Sequence, residues 1–282
     1  MNPVLANSTL DEQLATHGFV TVPFLRIDKV QELINFFHEN HQERVPGFYA
    51  TAHSTDISFR KKMSAKIKMI LEPVIAQYFQ NCIPLGGSYV VKSNLQHERL
   101  NPHQDWNIVD EAKYRSYNIW IPLVDLTQEN GAIRVAPGSH LWLDNYRGPQ
   151  ISDCLAIHNE TIWQNMQTLN MKAGEALIYD HRLFHASYPN LTEELRIAIV
   201  FGIVPIGAQM LHYYGNGSEI DVYESSIDFF MEGEIQKGPD TLRKIKTISP
   251  PTYRINSLPL YLENLNPKSS FWTRLKKIFT RY

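Results

Sequence analysis

The segment NPHQDW holds the residues best suited to chemistry. His103 and Asp105 stand two apart, and side chains two apart on a strand point to the same face. An imidazole nitrogen and a carboxylate oxygen then converge on one side while Gln104 points away. Together they supply two of the three groups in a two-histidine, one-carboxylate facial triad. That ligand set holds non-haem Fe(II) and leaves coordination positions open for a co-substrate and O₂. A pair this short arises by chance in a chain with 11 histidines, so its meaning depends on a second histidine from elsewhere. The downstream candidates are His140, His158, His181, His185 and His212. His185 lies in the strand-like run RLFHASYP, and His181 shares strand parity with it and competes for the same role. Arg196 opens the apolar strand RIAIVFGIV. A guanidinium there is costly to bury unpaired, and its planar fork suits a bidentate grip on a carboxylate.

Other residues near these are candidates for a pocket lining. Lys92, Asn94 and Gln96 alternate on one strand face just before the histidine–aspartate pair. Trp120 shares parity with Asn118 and either walls a co-substrate pocket or fills the core. Gln104 and Trp106 adjoin the ligands and are placed to touch substrate. PGSH at 137–140 reads as a tight turn shaped by Pro137 and Gly138, which makes His140 structural.

The elements that must position these groups fall into three parts. Residues 1–83 read as mainly helical, with GFVTVPFL as a short strand. Val30, Leu33, Ile34 and Phe37 form one helical face in residues 28–41, with Asp28 as the N-cap. A second face runs through Met63, Ile67, Ile70, Leu71, Val74, Ile75 and Tyr78. Pro73 is expected to kink or divide that helix. The basic run of Arg60, Lys61, Lys62, Lys66 and Lys68 reads as a solvated face. Residues 84–206 alternate short β-branched and aromatic runs with turn residues, the pattern of an antiparallel sandwich or barrel. Residues 207–282 are punctuated by Pro250, Pro251, Pro259 and Pro267. They end in KSSFWTRLKKIFTRY, a basic amphipathic helix that is expected to pack on the body, with peripheral membrane contact as the alternative.

Composition narrows the function class. Hydrophobic residues are 43% and charged residues 20% of 282 residues, as in an ordinary soluble protein and unlike a disordered chain. The net charge of −2 argues against a dedicated nucleic-acid binder. Cys82 and Cys154 form neither a CxxC pair nor a disulfide framework, and no secretory leader or membrane span is apparent, so a cytoplasmic location is expected.

Four motifs, taken together, resemble the phytanoyl-CoA dioxygenase family of Fe(II)/2-oxoglutarate-dependent oxygenases. They are HGFVTVPFL at 17–25, HQD at 103–105, ENGAIRVAPGSH at 129–140, and AGEALIYDHRLFHAS at 173–187 followed by Arg196. They keep the family's order across residues 17–205. The resemblance implies a mainly β fold, a double-stranded β-helix (jelly-roll, cupin-like) core with flanking helices, forming one oxygenase domain over 1–282. It selects His185 over His181 as the distal ligand, so that His103, Asp105 and His185 hold Fe(II). It implies that 2-oxoglutarate is anchored by Arg196 with Ser187 as a hydrogen-bond donor. Strand parity and adjacency, not the resemblance, add Asn94 and Trp120 as co-substrate candidates and Lys92, Gln104 and Trp106 as substrate candidates, with a solvent-facing edge the alternative for Lys92 and Asn94. The implied reaction is hydroxylation of an unactivated C–H bond in a small organic molecule, with release of succinate and CO₂. Related halogenases replace the metal-binding aspartate with a small residue, and the presence of Asp105 points away from halogenation. The competing reading is a cupin-like barrel that binds a metal or ligand without turnover.

Overall fold

Helical periodicity at the start of the chain and strand alternation in its middle produce a computed structural model that describes residues 3–41, 46–94, 98–232, 240–249, 253–260 and 262. The chain opens with α1 (Ser8–His17), β1 (Phe19–Pro23), α2 (Ile27–Asn40), β2 (Phe48–Ala50) and α3 (Ile57–Tyr78). Next come β3 (Cys82–Lys92), β4 (Leu100–His103), β5 (Tyr117–Pro122), β6 (Ile133–Val135), β7 (Leu143–Asn145) and α4 (Asn159–Gln164). The strand-rich middle closes with β8 (Gln167–Thr168), β9 (Glu175–Asp180), β10 (His185–Ser187) and β11 (Arg196–Pro205). Then come β12 (Leu211–Asn216), β13 (Glu219–Glu224), α5 (Ile227–Glu232), β14 (Lys244–Ile248) and β15 (Tyr253–Ile255).

Two antiparallel sheets make the core of a double-stranded β-helix. The larger has the order β1-β9-β5-β11-β3-β2, and the smaller β4-β10-β6-β8. Between them lie Val90, Trp120, Ile133, Val135, Leu177 and Ala198, all buried. The outer face of the larger sheet is covered by helices. Met63, Ile67 and Leu71 of α3 are fully buried there with Tyr89 and Phe201. Burial of each such side chain contributes roughly 1.5–3 kcal/mol. The Tyr89 hydroxyl donates to the Leu33 carbonyl at 3.0 Å and ties α2 to β3.

Three expectations from the sequence are corrected. α3 runs unbroken through Pro73. Pro73 and Met69, whose carbonyl loses its helical donor, both face solvent, so water replaces the missing bond. The N-cap of α2 is Arg26, with Asp28 inside the first turn. Leu211–Asn216, Glu219–Glu224 and Lys244–Ile248 form a three-stranded sheet, β12-β13-β14, over a small core of Leu211, Tyr213, Ile220 and Val222, where irregular structure was expected. The amphipathic segment at 268–282 lies outside the described residues. Among the described residues, no helix is long and apolar enough to cross a membrane. In the basic run, Lys66 pairs with Glu32 at 2.6 Å and Lys68 with Glu72 at 3.5 Å, while Arg60 is buried.

α3 packs tightly on β3 at Gly87. A Cβ there would lie 2.7 Å from Ile67 Cγ2 and 2.9 Å from Phe201 Cδ2. Gly87→Val is therefore expected to destabilise the fold by about 1–3 kcal/mol through overpacking, as a lowered urea midpoint. An unchanged midpoint would show that the helix–sheet contact is looser than the geometry indicates.

Candidate active site

The register of the smaller sheet brings the two histidines together. β10 pairs antiparallel with β4, and His185 sits directly across from His103. Their ring centroids are 4.2 Å apart. Each ring is oriented through Nδ1, which meets the Asn101 carbonyl at 2.8 Å in His103 and the Leu183 carbonyl at 3.0 Å in His185. A carbonyl partner makes Nδ1 the protonated nitrogen and leaves the Nε2 lone pair for a ligand.

Asp105 lies just past the end of β4, and its backbone is fixed from both sides. Its amide donates to the His181 carbonyl at 2.9 Å, and its carbonyl accepts from Arg147 Nε at 2.6 Å. Arg147 is itself buried and clamped by Glu111 at 2.6 Å and 3.1 Å. Asp105 Oδ2 accepts from Asn118 Nδ2 at 2.8 Å and from the Tyr179 hydroxyl at 2.9 Å. Oδ1 is left facing His185 Nε2 across 3.8 Å. Ligand atoms of His103, Asp105 and His185 all lie within 4.8 Å of one another. Two histidine nitrogens and one carboxylate oxygen at this spacing suit a first-row divalent metal with open positions.

The electrostatics agree with that use. Burial, reinforced by the neighbouring His185, lowers the His103 imidazole to about 4, so it is neutral at physiological pH, with the Nε2 lone pair free. Burial opposes ionisation of Asp105, but the surrounding imidazoles and the Tyr179 hydrogen bond outweigh it and bring the carboxyl to about 2. Burial and the Asp105 charge hold the Tyr179 phenol well above its usual range. Tyr179 therefore stays a hydrogen-bond donor.

These groups face a cavity of about 470 Å³ between the two sheets. Arg196, at the start of β11, reaches into it and is 2% exposed. Its Nε and Nη1 are buried without a partner. The guanidinium carbon lies 5.4 Å from the Trp120 ring centroid. Burial lowers its pKa to about 10, which still leaves it cationic. Unpaired buried donors are costly, and a carboxylate-bearing ligand is their natural complement.

Of the residues singled out in the sequence, His103, Asp105, His185, Arg196, Ser187, Trp120, Gln104 and Trp106 all line this cavity. Lys92 and Asn94 do not line it. The Lys92 ammonium turns instead to the Tyr188 carbonyl at 2.6 Å and the Ser187 carbonyl at 3.4 Å. Burial and the nearby Arg196 lower its pKa to about 7. β3 ends at Lys92, so the alternation that would have placed Asn94 on the cavity face stops short of it. Gln96 lies outside the described residues. His140 is structural, with Nε2 3.0 Å from the Ala15 carbonyl. Asn118, Tyr179 and Arg147 hold Asp105 but were given no role from sequence. Only the parity of Asn118 with Trp120 hinted at one of them.

A family model described as phytanoyl-CoA dioxygenase (PhyH) matches residues 24–198, more than half of the chain. The chain belongs to the phytanoyl-CoA dioxygenase family. The matched span includes both histidines, Asp105 and Arg196. Dioxygenase trt7 of Aspergillus terreus (strain NIH 2624 / FGSC A1156) is 31% identical over 110 residues, 36% of this chain and 34% of that protein. The chain thus spans about a third of the length of curated relatives it matches. Among solved structures, the non-heme α-ketoglutarate-dependent carbocyclase SnoK from nogalamycin biosynthesis superposes with a TM-score of 0.56 at 17% identity, covering 74% of this chain and 89% of that one. The epimerase SnoN, in complex with Fe³⁺, α-ketoglutarate and nogalamycin RO, gives a TM-score of 0.53 at 19% identity, covering 88% and 98%. These two share the fold of this phytanoyl-CoA dioxygenase family member.

Tyr179→Phe removes one of the two donors on Asp105 Oδ2 while keeping the ring. Its expected effect is roughly 10–100-fold weaker Fe(II) binding, the usual scale for losing a group that orients a ligand, measured by anaerobic metal titration. Wild-type affinity in this variant would show that Asn118 alone suffices.

Proposed function

We propose that the chain is an Fe(II)- and 2-oxoglutarate-dependent oxygenase that hydroxylates an unactivated C–H bond of a small organic molecule, releasing succinate and CO₂. The observation that carries this reading is the buried guanidinium of Arg196, with free Nε and Nη1, in the same cavity as the His103–Asp105–His185 group. A barrel that only binds a metal has no use for such a group, and this disfavours the non-catalytic alternative.

Iron with 2-oxoglutarate and O₂ bound supplies the oxidising power for attack on an unactivated C–H bond. The protein supplies position and a dry environment. His103, Asp105 and His185 would hold the metal. Asn118 and Tyr179 keep Asp105 Oδ2 engaged, so that Oδ1 is the oxygen presented. Arg196 would take the far carboxylate of the co-substrate, stacked near Trp120, with the Ser187 hydroxyl beside it as a further donor. The walls around Trp120, Ile133 and Val200 are apolar.

Asp105→Ala is expected to abolish 2-oxoglutarate-dependent product formation, scored by mass spectrometry. Hydroxylation adds one oxygen atom to the substrate mass, cyclisation removes two hydrogens, and epimerisation leaves the mass unchanged. Persistent turnover would remove Asp105 from the metal shell.

Arg196→Ala is expected to raise the apparent 2-oxoglutarate requirement by roughly tenfold or more, the scale of one charge-assisted hydrogen bond. An unaltered requirement in a succinate-release assay would assign the co-substrate anchor to another residue.

A further inference from the structure

The strand pair that holds Asp105 extends one step beyond it. The register of β5 and β9 places Trp120 opposite Leu177 and Asn118 opposite Tyr179. At the next step on the same face, the His181 amide donates to the Ser116 carbonyl at 3.1 Å. His181 lines the cavity and is 4% exposed. Its Nδ1 lies 3.0 Å from Ser116 Oγ, while Nε2 is buried with no partner. It is not one of the three grouped metal ligands. The imidazole is thus held at one nitrogen and unpartnered at the other, on a residue that lines the cavity beside His103, Asp105 and His185. A buried ring nitrogen calls for a hydrogen-bond partner.

The rest of the lining limits what that partner belongs to. Phe48, Trp106, Ile108, Val200 and Phe230 form apolar walls. Among the described lining residues, the formal charges are Arg196 and Asp105. Lys66 and Lys68 of α3 are committed to Glu32 and Glu72 and do not line the cavity, and Lys92 is turned to backbone carbonyls.

We propose that His181 Nε2 is the polar anchor of the substrate, and that the substrate is an uncharged, largely apolar molecule with a hydroxyl or carbonyl oxygen at that point. The proposal rests on the oxygenase reading, which commits Arg196 to the co-substrate and Asp105 to the metal. Ser116 fixes the ring in either tautomer. When its hydroxyl donates to Nδ1, Nε2–H donates to the substrate oxygen. When Nδ1–H donates to Ser116, Nε2 accepts from a substrate hydroxyl. Pockets that fix orientation with few polar groups on apolar walls work in this way.

The test is equilibrium binding to the full chain under anaerobic conditions with Fe(II) and 2-oxoglutarate present. The probes are decahydronaphthol, its parent hydrocarbon decalin, and palmitoyl-CoA. Wild type is expected to bind the alcohol roughly fivefold or more tightly than decalin, the scale of one hydrogen bond, and more tightly than palmitoyl-CoA. His181→Leu is expected to erase the preference for the alcohol while keeping wild-type iron content, and His181→Gln to restore part of it. No preference in wild type, a preference that survives His181→Leu, tighter binding of palmitoyl-CoA, or iron loss in a folded His181→Leu protein would each overturn the proposal. If circular dichroism shows that His181→Leu is unfolded, Ser116→Ala decides: a reduced preference supports the anchor, and a full preference overturns it. Succinate release by wild type is measured in parallel. Its absence with the binding contrast intact would sink the oxygenase reading and leave the anchor standing.

Discussion

Asp105 is a half-buried carboxylate held at its amide, its carbonyl and its outer oxygen, and the arrangement of the site depends on that restraint. A free aspartate rotates about two side-chain bonds and takes up protons when desolvated. Here the His181 carbonyl, the Arg147 guanidinium, the Asn118 amide and the Tyr179 phenol remove that freedom. The partners come from β5, from the end of β9 and from the loop after β7, so the carboxylate is fixed only once these segments have come together. The β4–β10 register then sets His103 opposite His185 beside it. Folding and the assembly of the ligand set are therefore one event.

What could be read from the sequence follows from how local each signal is. The spacing of His103 and Asp105, the isolated Arg196 at the head of an apolar strand, and the β-rich middle are properties of short windows. The structure brings those side chains to one cavity in a mainly β fold. The partners of Asp105 were not legible, because Asn118 and Tyr179 are neighbours only through the pairing of β5 with β9. Arg147 depends on a loop that no periodicity reports. Asn94 misled because strand alternation was extended past the point where β3 ends, and Lys92 because its ammonium turns to the Ser187 and Tyr188 carbonyls.

The other departures have similar causes. Pro73 is a helix breaker when its ring and the orphaned carbonyl are buried, yet on a solvent-facing stripe the helix continues. The hairpin of β12 and β13 turns at Gly217 and Ser218, with Gly217 at φ 65°. Gly-Ser between two strand-like runs is a hairpin signal.

The strands β5 and β9 present three successive cross-strand pairs: Trp120 with Leu177, Asn118 with Tyr179, and Ser116 with His181. The first borders the guanidinium, the second restrains the carboxylate, and the third, one residue beyond both strands, sets the buried His181 on the cavity wall. Backbone bonds carry this ladder, so exchanging side chains on its last rung leaves the first two in register. Such separation makes the scaffold modular: the side chain on the last rung can change while Asn118 and Tyr179 keep their hold on Asp105.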